Sequence, residues 1–304
     1  MQLQQNIIET RNLNFSFHTN QPIIKNLSLS VPEKSIYGFL GPNGAGKTTA
    51  INLITGLLNN SEDNIFLFGE SIKKCMPTVF KKVGTLIETP SLYLHLSAIN
   101  NLKIICTLRQ IEYKLIEPVL ELVGLSHTKN KKAKEFSLGM KQRLGIAFAL
   151  ISEPDLLILD EPVNGLDPTG MAEVRELIKT INNEKGTTIF LSSHLLGEIE
   201  KMCTHIGIIH KGSLKFQGTL AEIKTLNSEN QKAVIKIHEA EKYKDEILNN
   251  FSNSEMKNNE FLIPYSNVDE LQLISKKILN KNIPIIGLQS GKTLEDWFIQ
   301  LTSK

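Results

Sequence analysis

A glycine-rich stretch decides the fold of this chain: Gly41-Pro42-Asn43-Gly44-Ala45-Gly46-Lys47-Thr48-Thr49. The short apolar run 35–40 precedes it, and apolar residues recur at helical spacing through 48–58 after it. Strand, glycine loop and helix in this order are the context that a phosphate-binding loop requires. Glycines let successive backbone N–H groups converge on phosphate oxygens, and the helix N-terminus adds positive charge. The stretch therefore predicts a nucleotide-binding loop formed by residues 41–49.

Within this loop, the pattern G-x-x-x-x-G-K-[ST] assigns different roles to its last residues. Lys47 is expected to reach the β- and γ-phosphates, and the Thr48 hydroxyl to ligate Mg²⁺. A glycine-rich turn could match the pattern by accident. The strand before the loop and the helix after it argue against that alternative.

A second candidate site element is an apolar run that ends in two carboxylates. Residues 156–159 read Leu-Leu-Ile-Leu, and Asp160 and Glu161 follow directly. Asp160 is expected to hold Mg²⁺, and Glu161 to polarise the attacking water as general base. Taken alone, such a run is more often a strand that ends in a solvated turn. Together with the phosphate loop, it favours a nucleotide-hydrolysing site.

The bulk composition excludes several classes of protein. The chain has 304 residues, 41% of them hydrophobic and 22% charged, with a net charge of +2 that gives no support to nucleic-acid binding. Its three cysteines are far apart and fit neither a disulfide framework nor a zinc site, so a reducing cytoplasm is expected. No stretch reaches the ~18 apolar residues needed to cross a bilayer. The N-terminus also lacks the pattern of a signal peptide.

The arrangement of patterns along the chain predicts two domains. Loosely alternating segments in 7–31 predict an antiparallel β subdomain, and helical periodicity from 91 to 124 predicts a helical subdomain at about 89–150. Short apolar runs at 156–159 and 187–191 predict buried parallel strands, followed by a hairpin over 206–216. A boundary is expected after residue 222, with a polar linker at 225–231 and a small α+β domain at 223–304.

Together with the phosphate loop, Asp160 and Glu161 make the chain resemble the nucleotide-binding subunits of ATP-binding-cassette (ABC) transporters. The resemblance covers about residues 7–220. Residues 136–143, Phe-Ser-Leu-Gly-Met-Lys-Gln-Arg, are similar to the family's signature motif but depart from its usual form at two positions. Ser137 and Gly139, which match the γ-phosphate contacts of the family, are retained. Asp167 in Gly-Leu-Asp looks like the D-loop residue, His194 like the switch histidine, and Phe17 like the aromatic residue that stacks on adenine.

The resemblance implies a fold, a mechanism and partners. The fold class is α/β, a P-loop ABC ATPase core with antiparallel β and helical subdomains. Two copies are expected to sandwich ATP head to tail, so that Ser137 and Gly139 act on the nucleotide of the other copy. ATP and Mg²⁺ are the implied cofactors. Integral membrane permease subunits are the implied partners, at the cytoplasmic face of the cell membrane.

One departure from the family narrows the expected function. The loop between core and helical subdomain reads Leu-Ile-Glu-Thr-Pro over 86–90, with Glu88 where the family usually has glutamine. An ionised glutamate only accepts hydrogen bonds and binds Mg²⁺ more strongly than an amide. The change resembles the subgroup that exports lantibiotics and bacitracin-type peptides. It predicts that Glu88 either ligates Mg²⁺ or tunes the contact with the membrane partner.

Other functions stay open on the sequence alone. The leading interpretation is the ATPase subunit of a peptide-antibiotic exporter, and the nearest alternative is an exporter of another drug or lipid. A translation-associated ABC protein would carry two cassettes, and a DNA-repair relative would need a long coiled-coil insertion. A purely structural module would need neither Glu161 nor His194.

Overall fold

The computed structural model describes residues 5–18, 21–226, 232–266, 268–289 and 294–302. Its contacts divide the chain into two compact units, Met1–Gly218 and Thr219–Lys304. The boundary expected from sequence was after residue 222. Residues 227–231 of the expected linker lie outside the described residues, and its first residues, 225–226, end a helix instead.

The first unit is built around a mainly parallel sheet. In spatial order its strands are β12, β11, β5, β10, β9 and β8, with bounds Ser213–Thr219, His205–His210, Ile36–Leu40, Thr188–Ser193, Leu156–Leu159 and Val83–Leu86. β5, β9 and β10 are buried at every position, because both faces of a parallel sheet are covered. All three run parallel to one another, so their carboxyl ends meet at one edge of the sheet.

The antiparallel β subdomain packs into the same hydrophobic core. It comprises a sheet in the order β4, β1, β6, β7 and a hairpin of β2 and β3, with bounds Ser30–Pro32, Asn6–Thr10, Ile65–Leu67, Glu70–Ser71, Leu13–Ser16 and Pro22–Leu27. Ile8 and Leu27 from these strands share one cluster with Phe39 and Phe190 of the parallel sheet. The core therefore joins the antiparallel strands to the sheet that carries the motifs.

Helices cover the parallel sheet and form the helical subdomain. Their bounds, for α1 to α7, are Lys47–Ile54, Ile72–Cys75, Ala98–Arg109, Ile116–Leu122, Leu138–Leu150, Pro168–Lys185 and Leu196–Met202. The expectation of helix from residue 91 was wrong for its first two turns, about seven residues. α3 begins at Ala98 because Ser97 caps it, accepting a hydrogen bond from Asn100 N at 3.3 Å. Residues 91–97 form a loop instead.

The second unit is a small α+β domain. Its antiparallel sheet has the order β14, β15, β13, β16, with bounds Glu255–Lys257, Glu260–Pro264, Lys232–Ile237 and Ile285–Gln289. Helices α8 to α11 span Leu220–Leu226, Lys244–Asn250, Val268–Leu279 and Leu294–Thr302. Alternate residues of the central strand, Ala233, Ile235 and Ile237, pack with Ile274 and Ile278 of α10 in a separate core.

Candidate functional site

The glycine-rich loop wraps tightly between β5 and α1. A Cβ at Gly41 would lie 2.5 Å from the carbonyl oxygen of Ile209, so only glycine lets the loop pass β11 this closely. Gly46, directly before α1, has φ of 107°, a conformation that costs glycine nothing. The loop therefore reaches the first turn of α1 with its backbone N–H groups available to phosphate oxygens.

Lys47 is held within this loop by the main chain and by a carboxylate. Its Nζ donates to the carbonyl oxygen of Gly41 at 2.8 Å and lies 3.3 Å from Oε1 of Glu161. The residue is 7% exposed. Phosphate oxygens can replace these partners when nucleotide enters, because the ammonium group of Lys47 then forms charge-assisted hydrogen bonds to the phosphates.

Asp160 is buried at the end of β9 and accepts two hydroxyl hydrogen bonds. Thr48 Oγ1 donates to its Oδ2 at 2.9 Å, and Ser192 Oγ donates to its Oδ1 at 2.5 Å. Thr48 and Asp160, two of the residues expected to bind Mg²⁺, are thus brought together from positions 112 apart in the chain. Their oxygens are the ligand type that this cation prefers, so the residues present fit the metal.

Glu161 lies at the centre of the site. Its backbone N–H donates to Ser192 Oγ at 2.9 Å, and its Oε2 lies 2.9 Å from Nδ1 of His194. The residue has a φ of 49°, in the left-handed region that a non-glycine residue adopts at a cost. Lys47 and His194 contact the two oxygens of one carboxylate, which restricts its orientation.

Lys47, Thr48, Glu161 and His194 line an open cleft of about 470 Å³ at the carboxyl edge of the sheet, together with Asn43, Gly44, Gly46 and Thr49 of the loop. Its walls also include Ile23 of β3 and Asn164, which sequence reasoning missed. Ser192 was missed as well, although it hydrogen-bonds both carboxylate residues. The only sequence signal for Ser192 was its place two residues before His194. A larger cleft of about 660 Å³ lies at the opposite ends of β9 and β10 and contains none of the motif residues.

The signature and D-loop residues lie at the starts of two helices, outside the cleft that Lys47 and Glu161 line. Ser137 precedes α5 and accepts a hydrogen bond from Met140 N at 3.2 Å. Asp167 precedes α6 and accepts one from Gly170 N at 2.9 Å. Gly139 has no side chain to cover the first turn of α5, and its nearest neighbours are Leu166 and Gly170. None of the three predicted residues lines the cleft of their own copy.

An ion pair connects the helices that follow these motifs. Arg175 of α6 and Glu198 of α7 are 2.6 Å apart, and both side chains are less than a fifth exposed. Burial alone would raise the pKa of Glu198, but the hydrogen bonds and charges of Lys201 and Arg175 outweigh it and lower the pKa. The pair ties α7, which follows His194, to α6, which follows Asp167.

Two further predicted residues stand apart from the cleft. Phe17 is 55% exposed and packs edge-on against Phe15, with ring centroids 5.0 Å apart. Glu88 is exposed after β8 and has a φ of 58°. Neither is among the residues that line the cleft.

Comparison with known proteins agrees with this geometry. A family profile described as ABC transporter matches residues 24–164. The bacitracin transport ATP-binding protein BcrA of Bacillus licheniformis is 38% identical over 311 residues, covering 97% of each chain. The lantibiotic transport ATP-binding protein SrtF of Streptococcus pyogenes is 41% identical over 208 residues, 68% of this chain and 89% of that protein.

Solved structures show the same fold. The cbiO1 structure from Clostridium perfringens, part of the ABC transporter complex cbiONQ, is 26% identical and superposes with a TM-score of 0.67. The match covers 72% of this chain and 91% of the cbiO1 chain. The expected ABC ATPase fold is therefore confirmed. By sequence and by structure, this chain belongs to the ATP-binding subunits of ABC transporters, a family that hydrolyses ATP to power transport through separate membrane subunits.

Proposed function

We propose that this chain powers export of a peptide antibiotic through separate permease subunits, from the cytoplasmic face of the cell membrane. The likeness to BcrA over 97% of both chains carries the proposal, because it includes the C-terminal unit as well as the ATPase core. The likeness to SrtF and the glutamate at position 88 support the same substrate class.

In the proposed mechanism, the loop 41–49 binds the phosphates of ATP and Lys47 moves from Gly41 O to the γ-phosphate. Thr48 and Asp160 would hold Mg²⁺, which supplies positive charge to the phosphates when bound. Glu161 accepts a proton from the attacking water as general base. His194, 2.9 Å from Glu161, orients that carboxylate.

A second copy completes the proposed site. Ser137 is exposed at the start of α5, a helix of 13 residues whose first N–H groups favour an anion. Because Ser137 and Gly139 do not line the cleft of their own copy, we assign them to the ATP of the partner in a head-to-tail dimer. Phe17, exposed on the antiparallel subdomain, is assigned to the adenine ring, on which an exposed aromatic face can stack.

Replacing Glu161 by Gln tests the catalytic assignment. The amide cannot take the proton, so we expect ATP turnover to fall by about 10²–10⁴-fold while nucleotide binding persists. Glu176→Gln, on the exposed surface of α6, is the matched control and should keep its turnover. Undiminished hydrolysis by Glu161→Gln would overturn the assignment.

Cells expressing the chain with its permease subunits provide the test of the substrate class. Resistance to bacitracin or a lantibiotic should appear with the wild type and disappear with Glu161→Gln. Resistance to an unrelated drug, with none to either peptide, would favour the alternative exporter.

Glu88 is proposed to act at the contact with the permease. Glu88→Gln should then keep most ATPase activity and its Mg²⁺ dependence while peptide export weakens. Equal loss of both activities would count against this role. A raised Mg²⁺ requirement would assign Glu88 to the metal instead.

A further inference from the structure

The helical subdomain has a net positive charge, unlike the rest of this chain. Residues 89–150 contain nine lysines and arginines but four glutamates and no aspartate, a net charge of +5. The whole chain carries +2, so the remaining residues are net negative. A local excess of this size calls for a specific explanation, since a solvated surface of mixed charge would need none.

Part of this charge lies on two loops that are bonded side by side. Lys134 N donates to Leu94 O at 2.9 Å, and Ala133 N donates to Leu96 O at 2.8 Å. Five of the exposed side chains of these loops form what we call the lysine patch: Tyr93, Leu94, Lys131, Lys132 and Lys134. Tyr93 is 46% exposed and Leu94 49%.

A fully buried asparagine holds the apolar part of the patch in place. Asn101 of α3 accepts from Tyr93 N at 2.8 Å and donates to Tyr93 O at 3.1 Å, Leu96 O at 3.3 Å and Ser97 O at 3.0 Å. The loop is thus ordered by interior hydrogen bonds while its tyrosine and leucine point to solvent. Two adjacent, half-exposed apolar side chains held in this way are available to contact a partner surface.

The lysines of the patch are available to an external anion. Neighbouring Lys129 is paired with Glu117 at 2.7 Å. By contrast, Lys131, Lys132 and Lys134 make no ion pair within the described part of the chain, and Glu135 beside them offsets only part of their charge. Their ammonium groups are flexible point charges, without the fixed fork that arginine offers to a structured carboxylate surface.

We propose that the lysine patch contacts the anionic phospholipid headgroups of the bilayer that holds the membrane subunits. Lysines with long flexible stems attract an anionic leaflet without a fixed geometry. Tyrosine and leucine beside them can enter the interfacial layer, where an amphipathic ring is favourable. An acidic face of a protein partner would be matched better by arginine, which is absent from the patch.

Sedimentation with lipid vesicles tests the proposal on the full-length protein. Wild type should bind vesicles that contain phosphatidylglycerol, bind phosphatidylcholine vesicles far less, and dissociate as salt is raised. The triple variant Lys131→Gln, Lys132→Gln, Lys134→Gln should bind the anionic vesicles on the order of 100-fold more weakly, about fivefold per lysine. Removing the same charge from exposed Lys257, Lys276 and Lys277 should change little.

A second variant separates charge from insertion. Tyr93→Ser with Leu94→Ser should weaken vesicle binding but leave its salt dependence, because the lysines remain. Equal wild-type binding to both vesicle types would overturn the proposal, as would equal binding by the patch variant and its control. If the triple lysine variant lost permease capture in detergent but bound vesicles like the wild type, the partner of the patch would be an acidic protein surface instead. ATP turnover of the same samples reports on the proposed function separately.

Discussion

At the scale of single residues, the parallel sheet contains a buried tyrosine whose hydroxyl is unpaired within the described part of the chain. Tyr37 of β5 is 1% exposed, and its hydroxyl finds no hydrogen bond in the described part of the chain. Burial raises the pKa of Tyr37 well above its usual range, so the phenol stays neutral. Gly207 of β11 faces this ring, and a Cβ there would lie 2.4 Å from the hydroxyl oxygen.

Gly207→Ala should therefore destabilise the protein by roughly 1–3 kcal/mol, the usual cost of overpacking. Tyr37→Phe deletes an unpaired buried hydroxyl and should be neutral or stabilising by about 1 kcal/mol. In the double variant, the loss should be smaller but not abolished, because the ring carbons still lie 3.1 Å from the new methyl. Chemical denaturation measures all three.

Gly197→Ala in α7 is the control for this series. A Cβ at Gly197 meets no atom within 4 Å, and alanine is the better helix former. It should be neutral or slightly stabilising. If Gly207→Ala proved equally harmless, the close approach of Tyr37 would not limit this position.

At the scale of elements, the start of the helical subdomain depends on one side chain. The stripe Leu92, Leu96, Ile99 has helical spacing, yet residues 91–97 form a loop. Asn101 satisfies both polar groups of Tyr93 and two further carbonyls, which replaces the hydrogen bonds that a helix would make. Ser97 then caps α3.

Asn101→Ala should cost roughly 1–3 kcal/mol of stability, because the part-buried backbone N–H of Tyr93 loses its hydrogen-bond acceptor. The loop should also open locally, so that the Tyr93 amide exchanges with deuterium faster than the amides of α5. Asn100→Ala, at an exposed position next to it, serves as the control. Unchanged exchange at Tyr93 would show that the loop is held by other contacts.

At the scale of the whole molecule, each of the two units has its own hydrophobic core, and the nucleotide cleft belongs to the first unit. The residues of the cleft all belong to the unit 1–218, and the unit 219–304 has its own buried cluster around Ile235 and Phe261. Stability of the ATPase core should therefore not require the C-terminal core. Nucleotide binding should stabilise the first unit alone, since a ligand stabilises whatever folded state binds it.

A fragment of residues 1–226 is expected to fold and to keep its response to ATP. At about 100 times its dissociation constant, ATP should stabilise both fragment and full chain by about 2.7 kcal/mol. Thermal melting with and without ATP and Mg²⁺ measures the shift, with Lys47→Ala as the variant that should lose it. A fragment that unfolds, or melts without response to ATP, would show that the C-terminal unit supports the core.

The sequence by itself determined the phosphate loop 41–49 and the strand 156–159, because each is a continuous segment whose pattern is local. The order of such motifs along the chain then carried the resemblance that predicted the ABC ATPase fold. Only the tertiary structure decided what lies between them. It placed Ser192 between Asp160 and Glu161, and it brought Ile23 and Asn164 to the cleft. Ser192 meets the two carboxylate residues because parallel strands distant in sequence end at one edge of the sheet, a proximity that no local pattern records.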